Sequence, residues 1–244
     1  MAVRNQTAVS GEDGAPAETE GIELLGTRLR AARAERQIGV RQLARMVDCS
    51  ASLISQIERG RANPSVSTLY AISSALGISL DGLFAEPGAS TAAAATTARA
   101  VPVGQAVEPA PVVLRPAQRR VINLDRGVQW QLLMPVPEHN AEFLEAFYAP
   151  GGGSTADDHA IRHNGREYSL VLEGVLSVEI GFEQYRLEPG DSMAFDSTIP
   201  HRFWNAGTAP VRAVWFVMDR WATSESSVGA ASLLRALGVD GQAR

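Results

Sequence analysis

Residues 39–60 read GVRQLARMVDCSASLISQIERG, two short amphipathic helices joined by a tight turn. In the first, Val40, Leu43, Ala44 and Val47 recur at helical spacing. Asp48-Cys49-Ser50 forms the turn, and Leu53, Ile54 and Ile57 make the apolar stripe of the second helix. Ser50 suits the N-cap of that helix, because its hydroxyl can accept from a first-turn N–H that has no partner within the helix. Gly60 suits the position just past its end, where the left-handed conformation costs glycine little. A capped helix that turns Ser52, Ser55, Gln56 and Arg59 outward is shaped to enter a DNA major groove.

This segment, with the QIERGRANPS run that follows it, resembles the helix-turn-helix of the XRE family, the phage-repressor type, and the resemblance extends over about residues 22–84. It implies five helices: 23–36, 40–47, 51–59, 66–76 and 80–84. The resemblance implies an all-α DNA-binding domain in which Arg33 and Glu58 pair to lock the first helix to the recognition helix. It places Ala51, Ser52, Ser55 and Gln56 toward the bases, beside the capping Ser50. Arg41, Arg59, Arg61 and Asn63 then lie near phosphates. Gln pairs bidentately with adenine, and Ser serves any base edge. The competing reading is a small helical domain that docks another protein; the agreement of length, caps and motif favours double-stranded DNA.

Charge supports that choice. All 22 basic residues of the 244 are Arg, and the net charge is −5. Residues 22–84 carry eight Arg against five acids, about +3, while residues 112–221 carry ten Arg against fourteen acids, about −4. A basic head on an acidic body suits site-specific rather than general binding, because phosphates repel the body and attract the head. No run of about 18 apolar residues and no signal-peptide pattern is present. The single cysteine, Cys49, excludes an internal disulfide, and in its turn it reads as a small half-buried thiol. These features point to the cytoplasm and away from membranes.

Residues 1–21 are polar and Gly/Ala-rich and read as a disordered tail. Residues 85–111, AEPGASTAAAATTARAVPVGQAVEPAP, read as a flexible linker. From Val112 the pattern shifts to period 2, with candidate strands at 120–124, 128–134, 142–149, 159–163, 167–173, 175–180, 184–187, 192–196, 200–204 and 211–218. Many short strands between turn signals predict an all-β closed barrel or jelly roll over 112–221. Residues 222–244 form a polar tail in which Ala230, Leu233, Leu234 and Leu237 share one helical face.

Within the β region, PGGGSTADDHAIRHNGREYSLVLEG (150–174) and PGDSMAFDSTIPHRFWNAG (189–207) resemble the two motifs of the cupin family. His163, Glu167 and Gly174 match the first motif; Gly190, His201 and Asn205 match the second. The match departs at Ile161, where the family usually has a first His, and at Asp196 and Thr198, where it has Pro and Gly. His159 does not substitute simply, since four residues of strand at about 3.3 Å each place it some 13 Å from His163. His163, Glu167 and His201 still make a two-His-one-carboxylate set suited to a divalent transition metal, Fe, Mn, Ni or Zn. The alternative is a polar cavity in which these groups bind an organic ligand or one another. Trp130, Phe143, Tyr148, Tyr168, Phe195, Phe203, Trp204 and Trp215 supply pocket walls, core or dimer contacts. By strand alternation Arg162, Arg166 and Arg202 point away from the histidines.

Together these readings predict a transcriptional regulator, not an enzyme, that binds operator DNA as a homodimer and whose cupin domain senses a small-molecule effector. A metal-dependent cupin oxygenase or isomerase carrying a DNA-binding module is the alternative.

Overall fold

The structure, a computed structural model, describes residues 15–78, 111–136, 138, 140–155 and 159–218. Among the described residues four α-helices make the head: α1 (Ala15–Glu35), α2 (Val40–Met46), α3 (Ala51–Ile57) and α4 (Val66–Leu76). The expected fifth helix, 80–84, lies outside the described residues, as do the linker from 85 to 110 and the tail from 222. α1 starts at Ala15, well before residue 23, so residues 15–21 of the expected disordered tail are helical. α3 ends at Ile57, before the expected 59, because the backbone turns out through Glu58 into Gly60, which takes φ 65°.

Leu25 and Leu29 of α1, Leu43 and Ala44 of α2, Ile54 and Ile57 of α3, and Leu69, Ile72 and Leu76 of α4 form the head's core. The Ser50 hydroxyl accepts from Leu53 N at 3.0 Å, and Ser65 caps α4 through Thr68 N at 3.1 Å. Two features bind α1 to the end of α3. Arg33 makes a forked ion pair with Glu58, Nε–Oε1 2.6 Å and Nη2–Oε2 2.9 Å, and its Nη1 donates to Ile38 O at 2.7 Å. Gly26 lets the backbones meet, since a Cβ there would lie 2.3 Å from Ile57 O.

Among the described residues the second domain has nine strands: β1 (Val121–Leu124), β2 (Val128–Leu132), β3 (Ala141–Tyr148), β4 (Arg166–Glu173), β5 (Leu176–Ile180), β6 (Glu183–Leu187), β7 (Ser192–Asp196), β8 (His201–Trp204) and β9 (Val211–Met218). A six-stranded sheet, β1-β2-β3-β9-β4-β7, faces a three-stranded one, β6-β5-β8, and every pairing is antiparallel. Trp130, Leu144, Tyr148, Val171, Val178, Phe203 and Trp215 fill the space between them. The expected strand at 159–163 is not one; only Ile161 bridges to His201, because this segment crosses between sheets rather than running along one. Gly174 turns the chain from β4 to β5 at φ +74°, with Pro210 O where a side chain would begin.

Both partners of the Arg33–Glu58 pair are nearly buried, with side chains 13% and 6% exposed. Removing one partner of such a pair strands the other. Glu58→Ala should therefore destabilise the head by about 3–5 kcal/mol, read as an early unfolding transition by calorimetry. An unchanged transition would mean that water already solvates Arg33.

Candidate nucleic-acid interface and candidate metal centre

On the head, Ser52, Gln56 and Arg59 are exposed along one side of α3 and its exit, with Arg41 and Arg61 exposed nearby. Ala51, Ser55 and Asn63 are half-buried. Arg59 reaches back one turn to donate to Ser55 Oγ at 2.9 Å, so the edge of this face is partly ordered. Ser50 is exposed and engaged as the cap. Cys49 is half-buried, and burial pushes its thiol up, which keeps it protonated and unreactive.

In the barrel, His163 and Glu167 come from the start of β4 and the turn before it, and His201 from the first position of β8. Their three ligand atoms lie within 4.8 Å of one another, and all three side chains are almost fully buried. Glu167 Oε1 is 2.7 Å from His163 Nε2 and 3.2 Å from His201 Nε2. Its other oxygen accepts from Trp215 Nε1 at 3.0 Å. The outer ring nitrogens face backbone carbonyls: His163 Nδ1 lies 2.9 Å from Asn164 O, and His201 Nδ1 2.8 Å from Ile199 O. A carbonyl only accepts, so in each neutral ring the proton sits on Nδ1 and the Nε2 lone pair turns inward. Two nitrogen lone pairs then converge on an anionic oxygen. A cation at the centre, either a proton on an imidazole or a metal ion, removes the repulsion. The donor set is compatible with a metal site, and His159, exposed on the surface, is not part of it.

Burial alone would raise the Glu167 carboxyl, but the contacts and charge of His163 and His201 outweigh it and hold the group far below the usual carboxylate range. Tyr148 lies in the same interior, where burial and the charge of Glu167 push its phenol far up, so it stays neutral. Among the other aromatic residues, Trp130, Phe203 and Trp215 line the interior beside Glu167. Phe195 packs on His201 with ring centroids 4.9 Å apart. Phe143 and Tyr168 lie on the outer sheet surface against Phe216. Arg202 points outward, over Trp204 and onto Glu179, and Arg162 and Arg166 are exposed.

One residue at the cluster was not singled out by the sequence. Tyr70, on α4 of the head, sets its ring 5.0 Å from that of His163 and 5.4 Å from that of Trp130. Its signal was the width of the apolar stripe on α4. Val66, Leu69, Tyr70, Ile72, Ser73 and Leu76 span roughly 160° of arc at 100° per residue, more than one buried face requires.

A helix-turn-helix family matches residues 29–83 and a cupin domain family matches residues 145–217. The HTH-type transcriptional regulator PuuR of Escherichia coli (strain K12) is 28% identical over 191 residues, 78% of this chain and 91% of that protein. The immunity repressor protein of Bacillus phage phi105 is 44% identical over 62 residues, 25% of this chain and 43% of that protein. The crystal structure of an HTH_3 family transcriptional regulator from Vibrio cholerae superposes with a TM-score of 0.55 at 20% identity. It covers 82% of this chain and 98% of that one, a likeness of fold. No helix among the described residues is long and apolar enough to cross a membrane.

A carboxyl depressed by folding stabilises the folded state above its unfolded value, near 4.5, and that stabilisation is lost as pH falls below it. Glu167→Gln should lower stability near neutrality and flatten the decline below pH 4.5, followed by tryptophan fluorescence. An acid limb as steep as that of the parent would show that Glu167 does not titrate with folding.

Proposed function

The chain joins an XRE-type helix-turn-helix domain to a cupin domain, and on that premise we propose that it is a cytoplasmic, non-enzymatic regulator that binds operator DNA as a homodimer and senses an effector in its barrel. The similarity to a transcriptional regulator across both domains carries this reading. The capped α3, with Ser52, Gln56 and Arg59 exposed, gives it a physical basis. Gln56 reads a base edge, while Arg41, Arg59 and Arg61 meet phosphates.

One small head buries too little surface for tight specific binding, so two heads act on a two-fold-related site. The outer face of the six-stranded sheet supports pairing through the barrel. Phe143, Phe216 and Tyr168 stand in register across β3, β9 and β4, with Leu170 and Met218 exposed beside them. Such an apolar row on a sheet surface fits a second copy of the same face.

Selection of bound duplexes from random DNA defines the operator. On that operator Gln56→Ala should cost about 1–3 kcal/mol and relax specificity at one base pair. Phe216→Glu should give a monomer in sedimentation that keeps half-site binding and loses the full site. Equal losses from Gln56→Ala on operator and random DNA would place Gln56 on phosphate. A dimeric Phe216→Glu protein would move the pairing surface elsewhere.

In the barrel, His163, Glu167 and His201 hold a divalent transition metal in this reading, because two imidazole nitrogens and one carboxylate oxygen suit Fe, Mn, Ni or Zn. When bound, the metal would supply a Lewis-acidic centre for oxygen or nitrogen atoms of an effector. Trp215 orients the Glu167 carboxylate, and the two backbone carbonyls orient the rings. Purified without chelators, the protein should carry close to one metal ion per chain by elemental analysis, and His201→Ala should carry almost none. Equal metal in both would leave the cluster as a binder of organic ligands alone.

A further inference from the structure

The head is not merely tethered to the barrel; it closes it. Val66 and Tyr70 of α4 complete the wall of the interior formed by Leu144, Tyr148, Glu167 and Trp215. Tyr70 is only 7% exposed although it projects away from the head's own core, and its hydroxyl points at the buried Glu142 carboxylate, 3.5 Å away. Two backbone hydrogen bonds join the domains just ahead of it in the chain. Ser67 N donates to Ser154 O at 3.3 Å, and Asp125 N donates to Pro64 O at 2.9 Å.

With Tyr70 seated, the interior next to Glu167 has about 10 Å³ of room, enough for one water molecule. Sites for small organic ligands run to about 300 Å³ or more. An organic molecule therefore reaches the cluster only if the Tyr70 ring leaves. Space for that departure lies on the other side of the ring. An open groove of about 930 Å³ runs between the turn after α2 and the barrel segments at 125–126 and 159–162, and both Tyr70 and Ile161 form its inner end.

We infer that Tyr70 of the DNA-binding domain is the lid of the barrel cavity, so that a small organic ligand and the docked head compete for the same space. A ligand that takes the place of Tyr70 binds only the undocked state, and by linkage it releases the head from the barrel. The base-reading side of α3 is exposed in the docked state, so docking does not mask it. What docking fixes is the position of the head. In a dimer, release changes how far apart the two recognition helices are held, which is what a two-fold operator measures. This rests on the barrel cavity being the effector site.

The full chain and its Tyr70→Ala and Tyr70→Phe variants test the lid. Amide exchange at Ser67 and Asp125 reports docking directly, with Leu69 and Trp215 as internal references for the two folded domains. Cobalt(II) alone, followed by its visible absorption, reports access to the cluster. Tyr70→Ala should speed exchange at Ser67 and Asp125 at least tenfold, leave Leu69 and Trp215 unchanged, and speed cobalt uptake at least tenfold. Tyr70→Phe, which keeps the ring, should stay within a few-fold of the parent in both. Unchanged exchange at Ser67 and Asp125 in Tyr70→Ala would overturn the inference. So would faster exchange with unchanged cobalt uptake, since Tyr70 would then anchor the head without closing the cavity. Cobalt absorption missing from every protein would sink the metal reading instead; acrylamide quenching of the buried Trp130 and Trp215, raised in Tyr70→Ala and unchanged in Tyr70→Phe, would then support the lid, and unchanged quenching in Tyr70→Ala would overturn it.

Discussion

A carboxylate with almost no contact with water, set between two imidazoles, is the constraint around which the barrel is organised. An unpaired charge at that depth is prohibitive. Glu167 is tolerable because Trp215 supplies a donor from β9 and the Nε2 atoms of His163, from the preceding turn, and His201, from β8, meet its other oxygen. Those partners come from both sheets, so the charge of Glu167 is satisfied only when the sheets have closed on each other. The outward nitrogens of both histidines are held by backbone carbonyls, and this fixes which nitrogen faces inward. The site is therefore assembled by the same hydrogen bonds that hold its loops in place.

The head shows the same economy at a different scale. Gly26 brings α1 within backbone distance of the end of α3, and the Arg33–Glu58 fork then spans the same junction. One contact is close and made backbone to backbone, the other charged and directional. Together they set the angle at which the recognition helix leaves the domain, and through it where Ser52 and Gln56 point. Residues on the far side of the head thus fix how this exposed face of α3 is presented.

Much of this was legible in the sequence, for reasons that differ by element. The two short helices at 40–46 and 51–57 were readable because caps and apolar spacing are local signals, and Ser50 and Gly60 act where local chemistry places them. The cluster of His163, Glu167 and His201 was readable because two motifs fix strand positions that a closed barrel must bring together. The stretch 159–163 read as a strand because His159, Ile161 and His163 alternate like one. In the structure it crosses between sheets, and only the bridge at Ile161 remains, since alternation reports which side chains turn inward and not whether the backbone has a neighbour to pair with. Gly26 carried no signal at all, because a close approach between helices depends on what packs opposite, in this case Ile57 O.

Tyr70 was hidden for a related reason. An aromatic residue one turn after Val66 and next to Leu69 reads as ordinary helix core, and on one face of α4 that is correct. The helix, however, buries two faces. Leu69, Ile72 and Leu76 serve the head, while Val66 and Tyr70 serve the barrel. A flexible linker of the length expected for 85–111, some 27 residues, would by itself decouple the domains, since such a chain transmits no torque and sets only an effective concentration. The second face of α4 removes that isolation by direct contact. Contact between the domains is made by side chains of α4 on the barrel, and under the proposed lid it has two states, docked and undocked. Bistability of this sort is what a sensor requires, because an equilibrium between two packed arrangements shifts by the full difference in their affinity for a ligand, whereas a flexible tether offers nothing for a ligand to prefer.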